Sequence, residues 1–231
     1  MLELFPEGFE EVDAADGVEL VAYTTAGGEE RVRAVFEGAS ATDFADDWAD
    51  RWRRFHRSVT VGNLWVGPPW EEPPPGLIPV VIEPGRAFGT GGHPTSRLCL
   101  ELLLDEPRAG LVDCGCGSGV LAIAAAKLGF APIVALDHDA DAVDAARRNA
   151  MANAVDIDVR LADLLRDELP AAGVAVANIS SATVAALVPR LRSPRVIASG
   201  YVEGDAPELP GYRRVARRTT AGWAADLYAR E

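Results

Sequence analysis

Residues 110–137 read "GLVDCGCGSGVLAIAAAKLGFAPIVALD". A short apolar run, "GLVDCG" (110–115), ends in glycines at 115, 117 and 119. The stretch "GVLAIAAAKLG" (119–129) then has the composition of a helix, closed by Gly129. A second apolar run, "PIVALD" (132–137), follows. Strand, glycine turn, helix and strand within so few residues mark a parallel β-α-β unit. Glycines in the turn permit a tight reversal and a close approach of backbone to a ligand. The first N–H groups of the helix lack intrahelical partners and face whatever occupies the turn.

The same rhythm continues on both sides. "TSRLCLELLLDE" (95–106), "DADAVDAARRNAMAN" (139–153) and "SATVAALVPRL" (181–191) read as helices, and "DVRLAD" (158–163), "VAVANIS" (174–180) and "PRVIASGY" (194–201) as strands. "YRRVARRTT" and "WAADLYARE" make a final hairpin, which brings the count to seven strands. The fold expected over 85–231 is therefore α/β, a mostly parallel seven-stranded sheet with helices on both faces and a C-terminal antiparallel hairpin.

Ahead of it, "GVELVAYTT" (17–25) is strand-like and Gly27-Gly28 a turn, while "ERVRAVF" (30–36) fits strand or helix. "TDFADDWADRWRRFH" (42–56) places Phe44, Trp48, Trp52 and Phe55 at helical spacing after a Thr42 or Asp43 cap, as core or interdomain contacts. Residues 61–85 are rich in proline, which predicts a stiff extended linker or rim. The domain plan expected is a small acidic N-terminal α+β segment over 1–58, a linker over 59–84 and the α/β domain over 85–231.

Composition narrows the function classes. The chain has 231 residues, 48% hydrophobic, with no apolar run of the roughly 18 residues that span a membrane. Its start lacks the basic residues of a signal peptide, and three cysteines without framework spacing suit a reducing compartment, so a cytoplasmic protein is expected. Net charge is −13, and residues 1–50 carry most of it, with 14 Asp/Glu against Arg31 and Arg33. Such a face is either a solvated surface or one that meets a basic macromolecule. No Lys/Arg cluster offers phosphate neutralisation, so direct nucleic-acid binding is not expected. Cys114 and Cys116 lack a zinc spacing, and His56, His93 and His138 are scattered, so no metal is expected either.

Asp137 ends the second strand about twenty residues beyond the glycine turn, where a carboxylate accepts ribose hydroxyls. Dinucleotide and S-adenosylmethionine sites share this layout. A dinucleotide site reads GxGxxG with a pyrophosphate at the helix N-terminus. Here Asp113 precedes the glycines. A carboxylate there would repel a pyrophosphate and suits a cation. S-adenosylmethionine carries a sulfonium and an amino group, and the pattern resembles the first motif of the Rossmann-like class I methyltransferases.

A second glycine-rich stretch, "AFGTGGHPTS" (87–96), narrows this further. "VIEPGRAFGTGGHPTSRLCLELL", "VDCGCGSGVLAIAAAKLG", "ALDHDADAVDAARRNAMANAV" and "VANIS" together resemble the ribosomal protein L11 methyltransferase family (PrmA), and the F-G-T-G-x-H-x-T segment is its discriminating signature. The resemblance is strong over roughly 40–201. It implies transfer of methyl groups from S-adenosylmethionine to lysine side chains and the N-terminal amine of a large-subunit ribosomal protein. It also implies cofactor contacts by Ser96, in place of the family's threonine, by Gly115, by Asp137 and by Asn178, with Asp163 at the adenine. Phe88, Thr90, Thr95, Asp113 and Gly117 complete the expected cofactor set, with Phe88 a cation–π partner of the sulfonium or the lysine. Asn178 is the expected catalytic residue, an acceptor that aims the amine. Family members usually have leucine after "NI", where this chain has Ser180, and the N-terminal recognition segment reads as reduced. Two alternatives stay open: a related methyltransferase of another protein, such as an electron-transfer flavoprotein subunit, and a cofactor-binding module without turnover. A monomer is expected.

Overall fold

The organising feature is one seven-stranded sheet in the order β11-β12-β10-β9-β6-β7-β8. The structure, a computed structural model, describes residues 10–14, 17–21, 32–36, 39, 57–84, 89 and 91–231. The chain divides into two units, Met1–Arg51 and Trp52–Glu231.

In the first unit, β1 (Glu10–Ala14) and β2 (Gly17–Val21) pair antiparallel, with Glu10 opposite Val21. Residues 32–35 form a helical turn in which Phe36 N–H donates to the Val32 carbonyl, so the ambiguous 30–36 stretch is helical there. The helix expected over 42–56 lies outside the described residues.

In the second unit, β6 (Leu111–Cys114), β7 (Ile133–Asp137), β8 (Asp158–Leu161), β9 (Val174–Asn178) and β10 (Arg195–Val202) are parallel. β12 (Trp223–Arg230) runs antiparallel between β10 and β11 (Tyr212–Thr220). The chain builds β6, β7 and β8 outward in one direction, then returns to add β9 on the other side of β6. This reversal between β6 and β9 opens a crevice at the carboxyl ends of those two strands, where open α/β sheets bind their ligands.

Both sheet faces are apolar, as in parallel sheets covered on both sides. Along β9, Val174 and Val176 join one core cluster, Ala175 and Ala177 the other. The first face is covered by α1 (Pro94–Asp105), α2 (Val120–Leu128) and α3 (Ala140–Ala152), the second by α4 (Ser181–Leu187) and a 3₁₀ turn over Val188–Arg190. The helix expected over 181–191 therefore stops early: Pro189 has no N–H to continue the ladder.

The linker expected over 59–84 is corrected by the structure. β3 (Val59–Val61), β4 (Leu64–Gly67) and β5 (Ile78–Val81) form a three-stranded sheet. Val61, Leu64, Val66, Val80 and Ile82 are buried in the same cluster as α1 and α2. At about 1.5–3 kcal/mol for each such side chain, this segment is part of the core. The prolines at 68, 69, 73, 74 and 75 sit in the connection between β4 and β5, and Pro79 alone lies within a strand, on β5 at the edge of the sheet.

Two buried carboxylates tie the hairpin and α1 to the sheet. Asp226 takes Arg217 at 2.7 and 2.8 Å and the Tyr201 hydroxyl at 3.0 Å. Glu106, just past α1, takes Arg195 of β10 at 2.7 and 2.5 Å. Among the described residues, no helix is long and apolar enough to cross a membrane.

Candidate active site

Four segments meet at the crevice: the turn after β6, the end of β7, the end of β9 and the start of α1. In the turn, Gly115 and Cys116 N–H groups both donate to the Leu136 carbonyl, at 2.8 and 3.0 Å. Gly115 has φ +79°, and a Cβ there would come within 2.6 Å of the Ile179 side chain beyond β9. Only glycine lets the turn lie this close to the neighbouring strand end.

Asp137 is buried at the end of β7, and both its oxygens hold backbone. One accepts Gly117 N–H at 2.9 Å, the other Asp139 N–H at 3.1 Å. Each carboxylate oxygen retains a further lone pair for a ligand hydroxyl. Asp137 thus fixes the shape of the glycine turn as well as bordering it.

Asp113 lies beneath the turn and not on its surface. It is 1% exposed; one oxygen accepts Ala122 N–H of α2 at 3.1 Å, and the other has no hydrogen-bond partner. Burial pushes its carboxyl up to about 7, opposed by the Ala122 N–H and assisted by the neighbouring Asp137 charge. The folded chain therefore binds this proton more tightly than the unfolded chain, whose carboxyl titrates near 3.9. Asp113 contributes stability that is full below about pH 4 and is lost as pH rises to about 7. Wild-type melting temperature should accordingly fall relative to that of Asp113→Asn between pH 5 and pH 8. Parallel melting curves across that range would refute the assignment.

Asn178 closes β9. Its Nδ2 donates to the buried Ser96 hydroxyl at 3.3 Å, which orients the amide, and its Oδ1 is buried without a partner. Such an acceptor costs stability unless a donor reaches it, so it marks a place for one. α1 starts beside it on a His93 cap, whose Nδ1 accepts Thr95 N–H at 3.3 Å and lies 2.7 Å from Thr95 Oγ1. Thr95 is thereby turned to its own cap, while Ser96 faces Asn178. Gly200, at a bulge in β10 with φ +97°, lets the backbone of Ile179 pass close by; a Cβ would overlap the Ile179 carbonyl.

Asp163 follows β8, half-exposed, accepting Leu165 N–H at 2.9 Å and facing Arg166 at 3.4 Å. Phe88 and Thr90 lie outside the described residues. Of the expected residues, the fold brings together Ser96, Asp113, Gly115, Gly117, Asp137 and Asn178. Residues not anticipated from sequence include Ser118, whose hydroxyl donates to the Gly89 carbonyl, and Asn149, which donates to the Ser118 carbonyl at 2.9 Å. The available signal was Asn149, on the face of α3 that also carries Ala142, Ala146 and Ala150, followed four residues later by Asn153 at the C-cap.

A mostly parallel sheet with a reversed C-terminal hairpin, a glycine turn after its central strand, a carboxylate closing the next strand and an amide across the crevice define a Rossmann-like class I methyltransferase domain. The chain belongs to the ribosomal protein L11 methyltransferase (PrmA) family, whose model matches residues 10–205. The ribosomal protein L11 methyltransferase of Symbiobacterium thermophilum is 42% identical over 202 residues, 79% of this chain and 65% of that protein. That of Myxococcus xanthus is 43% identical over 187 residues, 76% of this chain and 65% of its own length. That of Shewanella amazonensis is 41% identical over 175 residues, covering 71% and 59%. The chain thus spans about three-fifths of the length of these relatives. The crystal structure of a ribosomal protein L11 methylase from Lactobacillus delbrueckii subsp. bulgaricus superposes with a TM-score of 0.66 at 25% identity, covering 76% of this chain and all of that one.

The residues present fit S-adenosylmethionine, the cofactor of this class of enzyme. Asp137 has lone pairs for ribose hydroxyls, Gly115 keeps the turn backbone close to the end of β9 where a Cβ would strike Ile179, and no basic side chain among those described at the turn asks for a phosphate.

Proposed function

We propose that this chain is an S-adenosylmethionine-dependent protein N-methyltransferase that modifies amino groups, lysine side chains foremost, of ribosomal protein L11 in the cytoplasm. One observation carries the catalytic part: the buried, unpartnered Asn178 Oδ1 at the mouth of the crevice, beside Ser96 and across from the glycine turn. The acceptor protein follows from the family and from the names of its relatives.

The cofactor supplies a methyl group on a sulfonium, an electrophile with a good leaving group already in place. What remains for the protein is positioning. A lysine amine has a pKa of about 10.4, so about one in 10³ is neutral at pH 7. An amide oxygen with no other donor accepts one amine N–H and leaves the nitrogen lone pair free to attack. S-adenosylmethionine, held by Asp137 and the glycine turn, would supply the methyl group to the amine nitrogen as its bond to sulfur breaks, and the surplus proton would leave to solvent. Asp137 would hold the ribose, Gly115 and Gly117 the close backbone approach, and Asp163 the adenine edge. Ser96 would keep the Asn178 amide turned the right way. Residues 85–231 would supply this cofactor domain, and the acid-rich 1–58 segment would meet a basic acceptor protein.

Incubation with radiolabelled S-adenosylmethionine and purified bacterial L11 should place label on L11 lysines, read by peptide mass. Cofactor binding by calorimetry with no label on L11 would overturn the acceptor. No binding at all would overturn the cofactor.

A further inference from the structure

Ser118 and Asn149 form a line of hydrogen bonds that the reaction chemistry does not require. Ser118 is buried in the glycine turn; its hydroxyl accepts Val120 N–H at 3.3 Å and donates to the Gly89 carbonyl. Its own carbonyl accepts Asn149 Nδ2 at 2.9 Å, and Asn149 Oδ1 accepts Glu83 N–H at 3.1 Å. At the C-cap of α3, Asn153 grips Val81 through both its backbone groups, at 2.9 and 2.6 Å, and bonds the Asn149 carbonyl at 2.8 Å. Asn149 is buried on an alanine face, where an amide is costly unless both its ends are bonded. Both ends are bonded, and to two segments far apart in sequence. The end of β5 and Gly89 are thereby anchored to the same cofactor turn.

The direction of this anchoring is set by the strand order. Asp137, the ribose acid, stands on β7, one side of β6; Asn178 stands on β9, the other side. Gly89 meets the Ser118 hydroxyl and Ser96 meets the Asn178 amide, so Gly89 and the start of α1 border the half of the crevice away from the ribose. A cofactor with its ribose at Asp137 would have its amino-acid end directed to that half.

We propose that Ser118 and Asn149 are positioning residues that set the grip on the amino-acid end of the cofactor, by fixing Gly89 and the end of β5 against the glycine turn. This rests on the S-adenosylmethionine reading above. The test compares two ligands by calorimetry: S-adenosylhomocysteine, and 5′-methylthioadenosine, which lacks the amino-acid end. Ser118→Ala should lose about tenfold in affinity for S-adenosylhomocysteine and change less than about twofold for methylthioadenosine, the worth of a lost buried hydrogen bond felt by one ligand only. Ser118→Thr, which keeps the hydroxyl, should restore the preference. Asn149→Asp keeps an acceptor for Glu83 but opposes the Ser118 carbonyl, and should resemble Ser118→Ala; thermal melting checks that each variant is folded. Equal losses for both ligands, or no loss in Ser118→Ala, would overturn the proposal. A wild-type chain that binds neither ligand would instead overturn the cofactor reading on which it stands.

Discussion

Asp137→Ala will weaken S-adenosylmethionine binding by at least about tenfold, and by about a hundredfold if both ribose hydroxyls bond the carboxylate, because each charge-assisted bond is worth about 1.5 kcal/mol or more. A second loss adds to this. The same side chain holds Gly117 N–H at 2.9 Å and Asp139 N–H at 3.1 Å, so alanine also frees the turn that cradles the ligand. Asp137→Asn separates the two effects. Its amide oxygen can keep the Gly117 bond while the charge is gone, so its affinity should fall between wild type and alanine. Calorimetric titration reads all three, and unchanged affinity in Asp137→Ala would sink the ribose role.

Asn178→Ala should cut the turnover number by about 10²–10³-fold, the usual cost of removing one preorganised polar group from a reacting centre. Cofactor affinity should change far less, since Asp137, the proposed ribose acid, sits on the opposite side of the central strand. The amide is held by Ser96 at 3.3 Å, so Ser96→Ala should lose a smaller factor through misorientation of the same group. Asn178→Asp is the informative contrast. A carboxylate would favour the lysine ammonium and hold it protonated, so turnover should stay low at neutral pH and recover as pH rises. Steady-state kinetics on L11 across pH would show this, and wild-type turnover in Asn178→Ala would remove the residue from the mechanism.

Much of the domain was legible because its signals are local. The β-α-β unit at 110–137 is written in short apolar runs, three glycines and an uninterrupted alanine-rich helix, and each element falls within a residue or two of its expected place. Asp137 was equally legible, as the acid closing the strand that follows a glycine turn. The proline-rich segment misled for a physical reason. Proline density reports where a ladder cannot run, and the prolines cluster between β4 and β5, whereas what makes 59–84 core is the burial of Val61, Leu64, Val66, Val80 and Ile82 against α1 and α2.

The chain's own sequence determined the fold class, the glycine turn, the acid closing the next strand and the family to which they belong, since each is carried by spacing along a single stretch. Only the tertiary structure separated the two hydroxyls of Thr95-Ser96, because one is claimed by the His93 cap and the other meets an amide 82 positions away. It alone placed Asp113 under the turn, where desolvation outweighs its charge. It alone joined Glu83, Asn149, Ser118 and Gly89 into one line of hydrogen bonds. Those partners are brought together by α2 packing against β5 and by the Asn149 and Asn153 amides reaching the Val81 and Glu83 backbone, and no local pattern records which distant backbone group a buried side chain will find.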